Sequence, residues 1–251
     1  MPQALSFREE LTEVQSQLRR EIRFKAADFR ELVEYSPDVL EADACPAIVI
    51  AVSRACGFSA PSVVKLATII ELIFLADQVH ALMKDDESLS EEGRQFPVLV
   101  GDYLYGRFFL DLCRDGLLPF LKPLAEAIIT MSEGGISRWL ARERELSPRE
   151  WLRVLEQERA SLTGLAGRLS ARLAGTAETV QETAACLGQA LGLAWAARQQ
   201  GLGESLVQTQ LAKARRIIRQ FPETLEFKAL YELVDFMGGE LLMDGGMLRH
   251  A

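Results

Sequence analysis

Apolar residues recur at helical spacing through almost the whole of this chain, and they rarely fall into the two-residue alternation of a half-buried strand. Residues 5–35 show the pattern first, with Leu11, Val14, Leu18, Ile22, Phe29 and Leu32 at steps of three, four or seven. That spacing lays one apolar stripe along an amphipathic helix. Ser36-Pro37 ends it, because a proline disfavours the α conformation in the residue before it. One short segment, "CPAIVIAVSRAC" (45–56), is rich in β-branched residues and by itself could be a buried strand, but no other strand is near enough to pair with it. Gly57 and "SAP" follow, and predict Ser59 as an N-cap with Pro61 in the first helical turn. Further helices are predicted over 61–84, 97–114, 117–143, 148–174, 177–200, 203–220 and 225–240. "LSPREW" is a start signal, with Ser147 as cap, Pro148 first and Glu150 third. "QQGLGES" carries two glycines and separates two helices. No linker or repeat of fixed period divides the chain. The expected architecture is a single all-α domain over 1–251, a bundle of eight to nine main helices.

Composition excludes several function classes. The 251 residues are 49% hydrophobic and 25% charged, enough for a full core. A formal charge of −8 repels phosphate backbones, so nucleic acid is not expected as a partner. A spanning helix needs about 20 apolar residues. The best stretch, "VVKLATIIELIFLADQV", is broken by Lys65, Glu71 and Asp77 and reads as a helix buried among helices. No charged stretch followed by an apolar one opens the chain, so the expectation is no secretory signal and a cytoplasmic location. Cys45, Cys56, Cys113 and Cys186 lie far apart, and are expected to be buried, reduced thiols.

Common chemistries fail on residue supply. A nucleophilic triad needs an imidazole, and only His80 and the penultimate His250 exist. Zinc-type Cys/His spacing is absent. "GLGES" follows a helix rather than a strand, so it reads as a helix–helix turn and not as a dinucleotide loop. "AKARRIIRQ" sets Lys213, Arg215, Arg216 and Arg219 on a helix, read as a solvated face or a docking face for an acidic partner.

The acids of "ELIFLADQVHALMKDDES" (71–88) are the remaining candidates. A helix presents residues i, i+1 and i+4 toward one side, so Asp-Asp-x-x-Asp holds magnesium ions that bridge a diphosphate. Here Asp85 and Asp86 are adjacent, but Leu89 takes the i+4 place. An acidic, solvated helix end is the plain alternative.

Several segments then fall into a recognisable order. "FPVLVGDYLYGRFF" (96–109) resembles the "avLvGDyLlarAf" segment of trans-prenyl diphosphate synthases. "PAIVIAVSRACG" resembles the helix after that family's Gly-Lys-Arg motif, and "IIELIFLADQVH" its "ELIHtatLiHDD" helix. "EWLRVLEQERASL", "LGQALGLAWAARQQ" and "KARRIIRQFPET" resemble its Lys-Thr helix, its second aspartate-motif helix and its "A...l..lP.s" segment. The resemblance runs over residues 40–240 and implies an all-α bundle around a deep cavity, usually dimeric, in which an allylic chain grows.

Carried over position by position, the family's working groups are mostly replaced. The first aspartate motif falls on Ala81, Leu82 and Asp85, and the second on Trp195, Ala196 and Gln199. Gly-Lys-Arg becomes Glu41, Ala42 and Asp43, and Lys-Thr becomes Glu158-Arg159. The histidine of "ELIH" is Phe74, while the one before the aspartates is kept as His80. The arginine pair after the first motif is missing, because the connection from His80 to Gly101 is shorter. Sliding the frame to Asp85-Asp86 moves the cluster one turn, about 5.4 Å, and even about 1 Å of misplacement costs on the order of a hundredfold.

The resemblance therefore implies a kept scaffold with lost chemistry, as in the non-catalytic subunits of two-component members of the family. Such a chain binds no metal of its own, magnesium being expected on a catalytic partner subunit with intact aspartate motifs. Two alternatives stand beside it: an active prenyltransferase or diphosphate-using enzyme with a displaced site on Asp77, His80, Asp85 and Asp86, and a stand-alone isoprenoid-binding homodimer. Phe74, Tyr103, Leu104, Phe108 and Phe109 are candidates for an apolar tunnel or a dimer seam, with ordinary core packing as the alternative.

Overall fold

A computed structural model of the protein describes residues 5–22, 44–82, 91–142 and 144–238. Their order is α1 (Arg8–Glu21), α2 (Ala44–Ala55), α3 (Pro61–Ala81), α4 (Glu91–Arg114), a 3₁₀ turn (Leu118–Phe120), α5 (Leu121–Leu140), α6 (Pro148–Leu155), a π-helical turn (Glu156–Ala160), α7 (Ser161–Leu173), α8 (Glu178–Gln199), α9 (Glu204–Ile218) and α10 (Lys228–Met237). There is no strand among the described residues. Because α6, the π turn and α7 run on without a break, the described residues form nine helical rods.

The ambiguous apolar segment is α2, a helix and not a strand. Ile48, Val49, Ile50 and Val52 are each fully buried, and a helix that is apolar on all sides belongs at the centre of a protein. α3, α7 and α10 surround it. α3 is buried without interruption from Leu66 to Ala76, between α2, α4, α1 and α7. The α1 stripe is as expected, with Leu11, Val14, Leu18 and Ile22 in the core, whereas Phe29 and Leu32 lie outside the described residues. Among the described residues, no helix is long and apolar enough to cross a membrane.

Several boundaries correct the sequence reading. Ala60, not Ser59, is the N-cap of α3, and no side-chain hydrogen bond caps it; Pro61 does sit in the first turn. α4 begins at Glu91, with Pro97 inside it, so that proline costs the ladder one donor and does not start the helix. The predicted 117–143 helix splits at Leu121, after the 3₁₀ turn. Ser147 and Glu150 do form a reciprocal capping box, and Arg144 reaches Glu150 at 2.7 Å. In the turn between α8 and α9, Gly201 and Gly203 have φ of 64° and 95°, which side-chain-bearing residues rarely adopt. Of the four cysteines only Cys45 is buried; Cys56 is half-buried, and Cys113 and Cys186 are exposed.

α7 and α8 approach more closely than ordinary side chains allow. A Cβ added at Gly188 would fall on the Thr163 carbonyl, one at Gly192 on the Thr163 side chain, and one at Gly167 on the Ala184 carbonyl. This seam fixes which side of α8 faces the interior. Gly188→Val must push α8 away from backbone atoms that cannot move independently. We expect it to cost about 1–3 kcal/mol, read as a lower urea midpoint at unchanged slope.

Candidate functional site

The C-terminal half of α3 carries Phe74, Asp77 and His80 at steps of three, which places them along one face of the helix. Opposite them stand the π turn, α8 and α4. A π turn inserts one residue into the helical register, and such turns concentrate at functional sites. Here it turns three consecutive residues, Glu158, Arg159 and Ala160, into buried ones. Glu158 reaches toward α5, where its carboxylate lies 3.1 Å from Arg138 Nε, an ion pair without hydrogen-bond alignment. Arg159 reaches the other way and donates from Nη1 to Asp77 Oδ2 at 3.0 Å and to the Glu158 carbonyl at 3.3 Å. The Thr163 hydroxyl donates to the Arg159 carbonyl at 3.0 Å, so the loosened backbone of the turn keeps a partner.

Arg159 is also held from its apolar side. Its guanidinium carbon lies 5.2 Å from the Phe74 ring centroid, within cation–π range. The Phe74 ring in turn packs on Trp195 of α8, with centroids 5.2 Å apart and planes tilted by 53°. Burial pushes the Glu158 carboxyl up from its ordinary value, with Arg138 and Arg159 opposing the shift and Asp77 adding to it. Burial, then the Glu71 carboxylate, holds the Cys45 thiol well above its usual range, and Arg159 opposes both. Interior charge is therefore arranged around Arg159.

At the end of α3, the His80 ring rests on α4 directly over Gly101, where an added Cβ would fall inside the ring. His80 Nε2 lies 3.3 Å from Asp102 Oδ1 and 3.3 Å from the Val98 carbonyl, and the ring packs on Tyr105 at a centroid distance of 5.6 Å. Burial pushes the Tyr105 hydroxyl up to about 12, with Asp77 and Asp102 adding to the shift. The "GDY" segment thus receives a histidine here, its glycine providing room and its aspartate a partner.

Of the sequence candidates, Asp77 and His80 share this region, but Asp77 is engaged by Arg159 and His80 by α4. Asp85, Asp86, Glu41, Ala42, Asp43 and His250 lie outside the described residues. Ala81 is exposed and Leu82 half-buried; across the site Trp195 is half-buried, Ala196 buried and Gln199 exposed. Among the five apolar candidates, Phe74, Leu104 and Phe108 are buried, while Tyr103 and Phe109 face outward. The sequence reading missed both Arg159 as the partner of Asp77 and Asp102 as that of His80. Only the i, i+3 spacing of Asp77 and His80 could have hinted that both point one way.

These donors do not suit a magnesium ion. Among the described residues, no three His, Cys, Asp or Glu side chains converge on a point that could hold a metal. Asp77 already faces a cation, and Trp195 and Ala196 offer no carboxylate from α8.

Known proteins carry this architecture. The structure superposes on a polyprenyl synthase from Caulobacter crescentus CB15, crystallised with calcium and isoprenyl diphosphate, with a TM-score of 0.77 at 20% identity, covering 94% of this chain and 99% of that one. It also superposes on a decaprenyl diphosphate synthase from Rhodobacter capsulatus with a TM-score of 0.72 at 18% identity, covering 94% and 97%. A heterotetrameric geranyl pyrophosphate synthase from mint gives a TM-score of 0.72 at 14% identity, covering 94% and 99%. In sequence, the chain is 28% identical over 159 residues to octaprenyl diphosphate synthase of Haemophilus influenzae, covering 60% of this chain and 48% of that protein. The Escherichia coli octaprenyl diphosphate synthase is 26% identical over 159 residues. The match spans about half the length of these curated relatives. No family model matches the chain. The fold is the all-α isoprenoid synthase fold, and the chain is a polyprenyl-diphosphate-synthase-like protein.

Two outcomes follow from the charges. Asp77→Ala leaves a 9%-exposed Arg159 side chain without its counter-ion, a loss of about 3 kcal/mol. Asp77→Ala with Arg159→Met should recover most of it in a double-mutant cycle read by urea unfolding. For Glu158, the folded state holds the proton more tightly than the unfolded chain. Its contribution is favourable below the ordinary carboxylate pKa and is lost as pH rises through the raised value. Glu158→Gln should melt like the parent at low pH and at increasingly higher temperature than the parent as pH rises across that window.

Proposed function

We propose that this chain is an accessory subunit of a long-chain trans-prenyltransferase, keeping the synthase scaffold while a partner chain with both aspartate motifs performs the metal-dependent chemistry. The observation that carries this reading is the Asp77–Arg159 pair, with Trp195 and Ala196 opposite it on α8. Diphosphate transfer needs cations to offset the charge on the departing group. Among the described residues, the guanidinium buried there, Arg159, already has a carboxylate partner, and the facing wall is aromatic and apolar.

In its loss of both motifs and its short connection before "GDY", the sequence is similar to component one of heptaprenyl diphosphate synthase, the non-catalytic half of a two-component enzyme. The corresponding role is to complete an assembly that extends farnesyl diphosphate with isopentenyl diphosphate toward a menaquinone side chain. An outward apolar row on α5 supports a heteromeric setting: Ile129, Ile136, Trp139 and Leu140 are each more than half exposed. Arg142 lies 3.7 Å over the Trp139 ring, and Trp and Arg are the residue types that anchor interfaces.

The test is a prenyl-transfer assay with magnesium on the protein alone, on a catalytic chain carrying both motifs, and on their mixture. Turnover in the mixture well above that of either chain is the expected result. Magnesium-dependent diphosphate release by the pure protein would instead favour a displaced site involving Asp85 and Asp86. Lipid binding with no effect on any catalytic chain would favour the stand-alone binding protein.

A further inference from the structure

The fold divides the run "AKARRIIRQ". Arg215 turns toward α10 and donates to Asp235 at 3.1 Å, whereas Lys213, Arg216 and Arg219 are exposed. At about 100° per residue, Arg219, Ala212, Ser205, Arg216, Thr209 and Lys213 follow one another around an arc of about 120° on the outward side of α9. All six are exposed, and α9 holds no acid after Glu204. The three cations span about 9 Å along the axis.

The acids close to α9 are already engaged: Glu204 with Arg198 at 3.6 Å, Asp235 with Arg215 and Glu232 with Lys228 at 3.7 Å. Elsewhere on the described surface a cation commonly meets an acid, as Arg20 meets Glu13 and Lys65 meets Asp115. Among the described residues, no acid pairs with Lys213, Arg216 or Arg219. The helix itself explains only part of this row. Its C-terminal partial negative charge favours cations in and just after the last turn, which covers Arg216 and Arg219. Lys213 stands before that turn. The spacing of three from Lys213 to Arg216, and again to Arg219, sets like charges side by side, which a lone helix disfavours.

We infer that the outward face of α9 docks an acidic helix of a partner protein. Seating of helix on helix fits because Ser205, Thr209 and Ala212 are small, and the separation of two packed helices depends on the side chains at their contact. A facing helix with carboxylates three or four residues apart over two turns matches the length of the cationic row. Two other anionic surfaces fit less well. A bilayer surface attracts each basic residue only weakly, and this arc offers three of them, with no large apolar side chain to insert and a chain of formal charge −8 behind it. The same charge opposes a phosphate backbone. The contact uses neither the Asp77–Arg159 pair nor the outward row of α5, so it does not depend on the functional reading above.

The experiment is an NMR titration of the isotope-labelled full chain with a helical peptide carrying Glu at positions i, i+3 and i+7. It is run at low ionic strength, where exposed charges are least screened. The same peptide with Gln at those positions, and phosphatidylglycerol vesicles, are the comparison probes. Amide shifts caused by the Glu peptide should gather on residues 205–219 and fade as salt is raised. Lys213→Gln with Arg216→Gln and Arg219→Gln changes exposed side chains alone, so it should keep the circular dichroism spectrum and weaken binding at least about tenfold. Arg149→Gln with Arg153→Gln, at exposed positions on α6, should bind as the parent does. No shift on α9, equal shifts from the Gln peptide, or a triple variant binding as tightly as the parent would overturn the contact. Tighter binding to the vesicles than to the Glu peptide, through the same three cations, would overturn the choice of a protein helix in favour of a bilayer.

Discussion

A guanidinium cannot be carried into a helical interior without an acceptor, and that rule organises the centre of this molecule. Removing an ion from water costs several kcal/mol even after relaxation, and only a well-placed counter-charge offsets it. Arg159 meets the rule with Asp77 at 3.0 Å on one side and the Phe74 ring on the other. Glu158, next to it in sequence, meets it through Arg138 on α5. Two adjacent residues of opposite charge thus tie one rod to α3 and to α5. An uninterrupted α-helix turns adjacent residues about 100° apart, and the π turn supplies the altered register in which both are buried.

The pair depends on close packing elsewhere. The Phe74 ring is braced by Trp195, and Trp195 is placed by α8, whose distance from α7 is set by Gly188 and Gly192 against Thr163. Thr163 also accepts this contact while donating to the Arg159 carbonyl. The same threonine therefore locates α8 and steadies the turn that delivers Arg159. At the other end of α3, Gly101 performs a similar service by admitting the His80 ring against α4. Small residues set the distances, and the charged and aromatic side chains occupy the places so defined.

Much of this architecture was legible in the sequence because it is written in local signals. The apolar stripe of α1, the Ser147–Glu150 box and the Gly201/Gly203 turn each need only a few neighbouring residues to specify them. The failures have one physical cause, which is dependence on distant chain. α2 reads as a possible strand because burial on all sides removes the helical period that would mark it. Pro97 reads as a helix start because its own neighbourhood does not show that α4 continues before it. Arg159 reads as the loss of a lysine–threonine pair, and its partner Asp77 is 82 positions away. Asp102 looks like part of the "GDY" motif until the fold brings His80 to it. Pairings between helices are set by rod positions, and no window of sequence contains those.

That dependence also bears on how three positions that differ from the resembled motifs are read together. Taken singly in the sequence, Arg159, Trp195 and Phe74 look unrelated. In the folded chain Arg159, Phe74 and Trp195 touch in sequence, guanidinium on ring on ring, with Asp77 closing the far side. In that interior Arg159 without Asp77 would face only rings, and Asp77 without Arg159 would be an unpaired acid beside them, so neither member of the pair is stable there singly. The pair and the two rings therefore hold together as one cluster between α3, the π turn and α8.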